Sequence, residues 1–131
     1  MSNLPVVVAL GILAAGLQGC AAGPEAVYIE QAYEELSEPA PDLARAHAWL
    51  HEALEIAPDN PYALLDMGVV YHHAGRFLEA ADYYDRVIAM GAREDPPREN
   101  KEWAEDLDLV EIARHNMRQL AAGLPPERRL R

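Results

Sequence analysis

DLARAHAWLHEALEIAPDN, residues 42–60, and RFLEAADYYDRVIAMGARE, residues 76–94, carry one pattern twice. Laid one above the other, they put Ala46 on Ala80, Leu50 on Tyr84, Ala53 on Val87, Leu54 on Ile88 and Ile56 on Met90, each pair 34 apart. Within a copy these positions fall at i, i+4, i+7, i+8 and i+10, which is one face of a helix. An internal period of this size marks stacked helical units, none of which can bury its apolar face alone. Ala46, Ala53 and Ala80 are small, so a partner helix can approach them closely.

The rest of the chain is consistent with a single small domain of 131 residues, half of them apolar. Its net charge is −11, and the segment from residue 20 to 124 alone carries −13. So acidic a body repels phosphate backbones and anionic lipid, which argues against nucleic acid as a partner. One cysteine permits no internal disulfide and no thiolate metal cluster.

Upstream of the second copy stands Leu64-x-x-Met67-Gly68-x-x-Tyr71, then Gly75, Ala80 and Tyr84. This resembles the tetratricopeptide repeat, whose pattern is W-x2-L-G-x2-Y, then A-x3-F, then P. Leu64 stands for the Trp and Met67 for the Leu; Gly68, Tyr71 and Ala80 match, and Tyr84 fills the aromatic place. Pro58 closes the first copy, where the second has Ala92. The resemblance implies an all-α array of helical hairpins: two repeats plus a C-terminal capping helix, spanning residues 25–123.

Local signals agree with five helices. AVYIEQAYEEL from Ala26 supplies Ile29, Ala32, Tyr33 and Leu36 as a stripe, although the repeat's glycine is missing there. Pro24 and Pro61 suit first-turn positions and Asn60 a cap. Gly75 and Gly91 can end helices, while Pro39 and Pro58 stop them. After AREDPPRENKEWAEDL breaks the period, a last helix is expected over Lys101 to Ala122, with Leu109, Ile112, Ala113, Met117 and Leu120 as its stripe. Residues 124–131, with PPERRLR, read as a basic flexible tail. An array this short is near the lower limit for stability, so a homodimer or a bound partner would help it.

At the other end, LPVVVALGILAAGL (residues 4–17) is uncharged but makes only about 21 Å of helix, short of a bilayer core. It has the length of a signal-peptide apolar region, and LQGC follows it. Leu17, Gly19 and Cys20 resemble the bacterial lipoprotein lipobox; Met1-Ser2-Asn3 departs from it in having no Lys or Arg. That resemblance implies a signal peptide over residues 1–19, cleavage before Cys20, acylation of Cys20 and a spacer to residue 24. Several acyl chains anchor stably where one does not. Ala21 stands where many inner-membrane lipoproteins have Asp, which implies the outer membrane, with the domain facing the periplasm.

Members of the repeat family bind proteins or peptides on the face lined by the first helix of each repeat. Carried over, that face is Tyr62, Leu65, Val69, His72 and His73. The Lys and Asn with which some members clamp a terminal carboxylate are absent from it. Leu65 and Val69 are then either an open strip for an apolar or amphipathic helix or ordinary core, because this helix is apolar almost all round. His47 and His51 stand at i, i+4, a chelating spacing without an evident third ligand, which keeps a metal- or haem-handling role as an alternative. No cofactor is expected. No enzyme pattern is present: serine occurs only at positions 2 and 37, and no glycine-rich phosphate loop exists. The expectation is a lipid-anchored adapter that recruits an unidentified protein, with an assembly factor resembling the pilotins as the rival.

Overall fold

The computed structural model describes residues 23–91 and 109–127. Cys20, the apolar run before it, the segment from residue 92 to 108 and the last four residues lie outside the described residues. Five helices are described: α1 (Glu25–Leu36), α2 (Leu43–Ile56), α3 (Pro61–His73), α4 (Phe77–Met90) and α5 (Leu109–Ala121). The expected residues 101–108 of the last helix fall outside them.

Each helix begins and ends where its side chains and prolines dictate. Ser37 closes α1 by donating its hydroxyl to the Tyr33 carbonyl at 2.8 Å. Asp42 caps α2 by accepting the Arg45 N–H at 3.0 Å. Asn60 caps α3 by accepting from Tyr62 and Ala63 N–H at 3.0 and 3.2 Å, with Pro61 in the first turn. Such caps are worth about 1 kcal/mol each. Gly75 and Gly123 then end α3 and α5 at φ +74° and +70°, a region costly for any residue with a Cβ. In both turns the following N–H reaches back five residues, Arg76 to Tyr71 at 2.9 Å and Leu124 to Gln119 at 2.8 Å.

α1 packs chiefly on α2 and α3 on α4, so the chain forms two hairpins, and α5 closes the stack against α4 and α3. The 34-residue repeat survives in burial. Ala46 and Ala80, Leu50 and Tyr84, and Ala53 and Val87 are all fully buried, while Ile56 and Met90 are each 44% exposed. Leu54 and Ile88, between those extremes, are half-buried in both copies. Equivalent positions therefore meet equivalent neighbours, as stacked repeats require.

The tightest contact lies inside the second hairpin. A Cβ placed on Gly68 would sit 2.6 Å from Cε1 and 2.8 Å from Cδ1 of Tyr84. Glycine there lets α3 lie against the ring; in the first repeat the place of Tyr84 is taken by the shorter Leu50. On α5, Leu109, Ile112 and Ala113 are buried as expected, but Met117 and Leu120 are only half-buried, and Val110 and Asn116 are buried instead. The inward face of α5 is thus rotated toward Asn116, whose amide is drawn into the contact with α3 and α4.

Gly68→Ala should destabilise the fold by about 1–3 kcal/mol, an overpacking cost read as a drop in melting temperature. In a Tyr84→Leu background the same change should cost clearly less. Equal penalties in the two backgrounds would show that the ring does not set the helix spacing.

Candidate functional site

The strip expected to face a partner is largely core. Tyr62, Leu65, Val69 and His72 are 8%, 3%, 1% and 4% exposed, and only His73 reaches the surface. Of the two alternatives left open for Leu65 and Val69, their burial is that of core and not of an open strip. α3 is the central helix, touched by all four others, so no side of it is left for an apolar strip to face water. A charge placed there would be buried without a partner. Leu65→Asp or Val69→Asp should accordingly abolish cooperative thermal unfolding, as followed by circular dichroism, rather than merely block a partner.

His47 and His51 do stack, with ring centroids 6.4 Å apart and planes within 6°. Their outward nitrogens are already engaged: His47 Nε2 meets the Tyr71 hydroxyl at 3.1 Å, and His51 Nε2 lies 3.6 Å from Glu55 Oε1. Among the described residues no three His, Cys, Asp or Glu side chains gather as metal ligands. Beyond this pair the aromatic face continues. Tyr71 stacks on Tyr83 at 5.6 Å, with the Arg76 and Arg86 guanidinium groups 5.0 and 5.4 Å from the two ring centres. Such stacked cations and rings are a modest surface stabiliser. Burial, followed by the charges of His51 and Arg76, holds the His47 imidazole below its ordinary range.

Polar chemistry concentrates instead at the ends of α3 and α5. His72 Nε2 lies 2.8 Å from the Leu124 carbonyl and Nδ1 lies 3.1 Å from the Tyr84 hydroxyl. A carbonyl can only accept, so Nε2 carries the proton of the neutral ring and Nδ1 accepts from Tyr84. Phe77 and Tyr84 sit edge-on to the imidazole at 6.0 and 5.9 Å. Burial pushes the Tyr84 phenol far up, the neighbouring Asp66 carboxylate adds to that, and the Asn116 amide draws it back in part. Asn116 is fully buried, and its Oδ1 accepts the Glu127 N–H at 2.7 Å. The Glu127 carboxylate lies 3.7 Å from His115 Nε2.

Residues 124–127 are thus tied to the helices at three points, where the sequence suggests a loose tail from residue 124 onward. Residues 128–131 lie outside the described ones. Of the five residues expected to bind a partner, His72 belongs to this cluster and His73 stands exposed beside it. Asn116, His115, Tyr84 and the 124–127 backbone were not expected as polar partners. One signal for Asn116 does exist: it falls seven residues after Leu109, on the apolar stripe of α5, where a polar residue needs a reason.

Burial also depresses the His72 imidazole, an effect that its bond to the Leu124 carbonyl partly offsets. The folded protein then binds fewer protons than the unfolded chain as pH falls below about 6.5. The stability contributed by neutral His72 is present above that value and is lost as pH falls toward the lowered folded-state pKa. Melting temperature should therefore decline from pH 7.5 to pH 5, and His72→Gln should flatten the decline. An unchanged slope would mean that the loss arises elsewhere, for example at His47.

Residues 40–97 match a family model described as tetratricopeptide repeat. The match covers α2, α3 and α4, the part with the 34-residue period. No characterised protein and no solved structure gives a significant match to the chain. The sequence period, the Gly68–Tyr84 crossing and the two hairpins agree with that match, and residues 40–97 are similar to a tetratricopeptide repeat.

Proposed function

We propose that this protein is a lipid-anchored adapter of the bacterial envelope, tethered through Cys20 and recruiting another protein with its helical array. A tetratricopeptide repeat domain suits protein–protein interaction, and that is the observation which carries the reading. Membrane attachment rests on the sequence alone: an uncharged run ending in Leu17-Gln18-Gly19-Cys20. No helix among the described residues is long and apolar enough to cross a membrane. Ala21 favours the outer membrane, with the domain in the periplasm.

The anchor confines the array to a plane and raises its local concentration there, which multiplies weak contacts. An acidic body attached to an anionic surface is held off the headgroups by repulsion, leaving its faces free for a protein.

Feeding cells an alkyne-tagged palmitate should label the full-length protein, and Cys20→Ala should lose both the label and the membrane fraction. Crosslinking the labelled protein in its own cells should recover a partner whose yield falls in the unanchored variant. A protein that stays in the membrane fraction without label would sink the lipid anchor, and a labelled protein with no crosslinked partner would sink the adapter role.

A further inference from the structure

Residues 124–127 are held neither like a packed helix nor like a loose end. The chain leaves α5 by the turn that also ends α3, with Gly123 in the place of Gly75 and Leu124 in that of Arg76. After Gly75 that turn opens α4 at Phe77, but after Gly123 the same position is Pro125, followed by Pro126 and then Glu127. Two successive prolines restrict the backbone to an extended course. Where a further helix would lie against α3 and α5, a short non-helical segment lies instead.

What holds it is its backbone. The Leu124 carbonyl takes the His72 Nε2 proton at 2.8 Å, and the Glu127 N–H is given to Asn116 Oδ1 at 2.7 Å. Both reading side chains are buried, at 4% and 0% exposure. His115 Nε2 is buried with no hydrogen bond, and the Glu127 carboxylate lies 3.7 Å from it. The first two side chains contribute little, Leu124 being 50% exposed and Pro125 also exposed, whereas Pro126 and Glu127 are half-buried. Phe77, edge-on to His72, is itself 46% exposed, leaving an apolar flank beside the segment.

We infer that His72, Asn116 and His115 form a site for an extended, proline-containing peptide with a Glu after its prolines, read mainly through its backbone, and that the chain's own Leu124-Pro125-Pro126-Glu127 occupies this site in cis until a partner's segment displaces it. This rests on the adapter reading above and gives it a ligand class and a means of closure. A carbonyl and an N–H three residues apart, with prolines between and a carboxylate at the end, meet all three side chains. The prolines reduce the ordering cost of the incoming chain, as in other proline-rich recognition. A segment that buries so little apolar surface opens at low cost. Its tether nevertheless gives it an effective concentration of about millimolar, which a ligand in trans must overcome.

The test uses the full chain labelled with nitrogen-15 and its Glu127→Pro variant. Proline has neither the N–H nor the carboxylate, so Asn116 loses its cis donor and His115 its cis anion, while His72, His115 and Asn116 themselves are unaltered. Each chain is titrated with an acetylated, amidated GLPPERRL peptide and with the same peptide N-methylated at its glutamate. The plain peptide should bind the variant at least about fivefold more tightly than the unaltered chain, the worth of the hydrogen bond alone. Its shifts should centre on the Asn116 amide, His72 and Tyr84, and N-methylation should weaken it by a similar factor. Equal affinity for both chains, or shifts centred elsewhere, would overturn the site. If Glu127→Pro fails to fold, the peptide pair on the unaltered chain still decides: N-methylation that makes no difference, or no binding at all, overturns it. A partner recovered by crosslinking while the peptide fails would leave the adapter reading standing and remove this inference alone.

Discussion

The contact between Gly68 and the Tyr84 ring governs the distance at which α3 lies on α4. A Cβ on Gly68 would have to occupy space within 2.6 Å of that ring. Because interiors are packed to crystal density, neither helix can yield without opening a void elsewhere. The ring so fixed carries its hydroxyl to His72, and its phenol faces Asp66 and Asn116. The glycine that sets the repeat's spacing therefore also sets where its buried polar cluster lies.

That cluster joins parts of the chain far apart in sequence. His72 ends α3, Tyr84 lies on α4, Asn116 on α5, and Leu124 and Glu127 follow α5. Each polar atom buried there is costly unless met, so the arrangement tolerates few alternatives. Neutral His72 satisfies a donor and an acceptor at once, and this is why its protonation works against the fold. The outer aromatic face, with Tyr71 on Tyr83 and His47 beside His51, is a separate surface whose loss would disturb the core less.

A short array places its central helix in an unusual position. In a long stack, the first helix of each repeat keeps one face toward the shared groove. Here α3 is touched by all four other described helices, and Leu65 and Val69 are consumed in holding the stack together. Exposed apolar surface is then left to the margins. The end of the array, where Phe77, Leu124 and the 124–127 backbone meet His72 and Asn116, combines exposed apolar surface with buried polar groups.

The sequence by itself determined the repeat, the hairpins and their boundaries. Local rules suffice for these: the 34-residue period repeats one apolar face, Asn60 caps, and Gly75 and the prolines punctuate. Gly68, Ala80 and Tyr84 made the helix crossing legible because close packing demands small beside large. Only the tertiary structure decided that Tyr62, Leu65, Val69 and His72 are buried, since a stripe apolar all round does not say which side is covered. Nor could periodicity reveal that Asn116 faces inward to accept the Glu127 N–H, or that Leu124 returns to His72 across 52 residues. Those pairings depend on where three helix ends converge, and that convergence follows from the packing of whole helices rather than from any local run of residues.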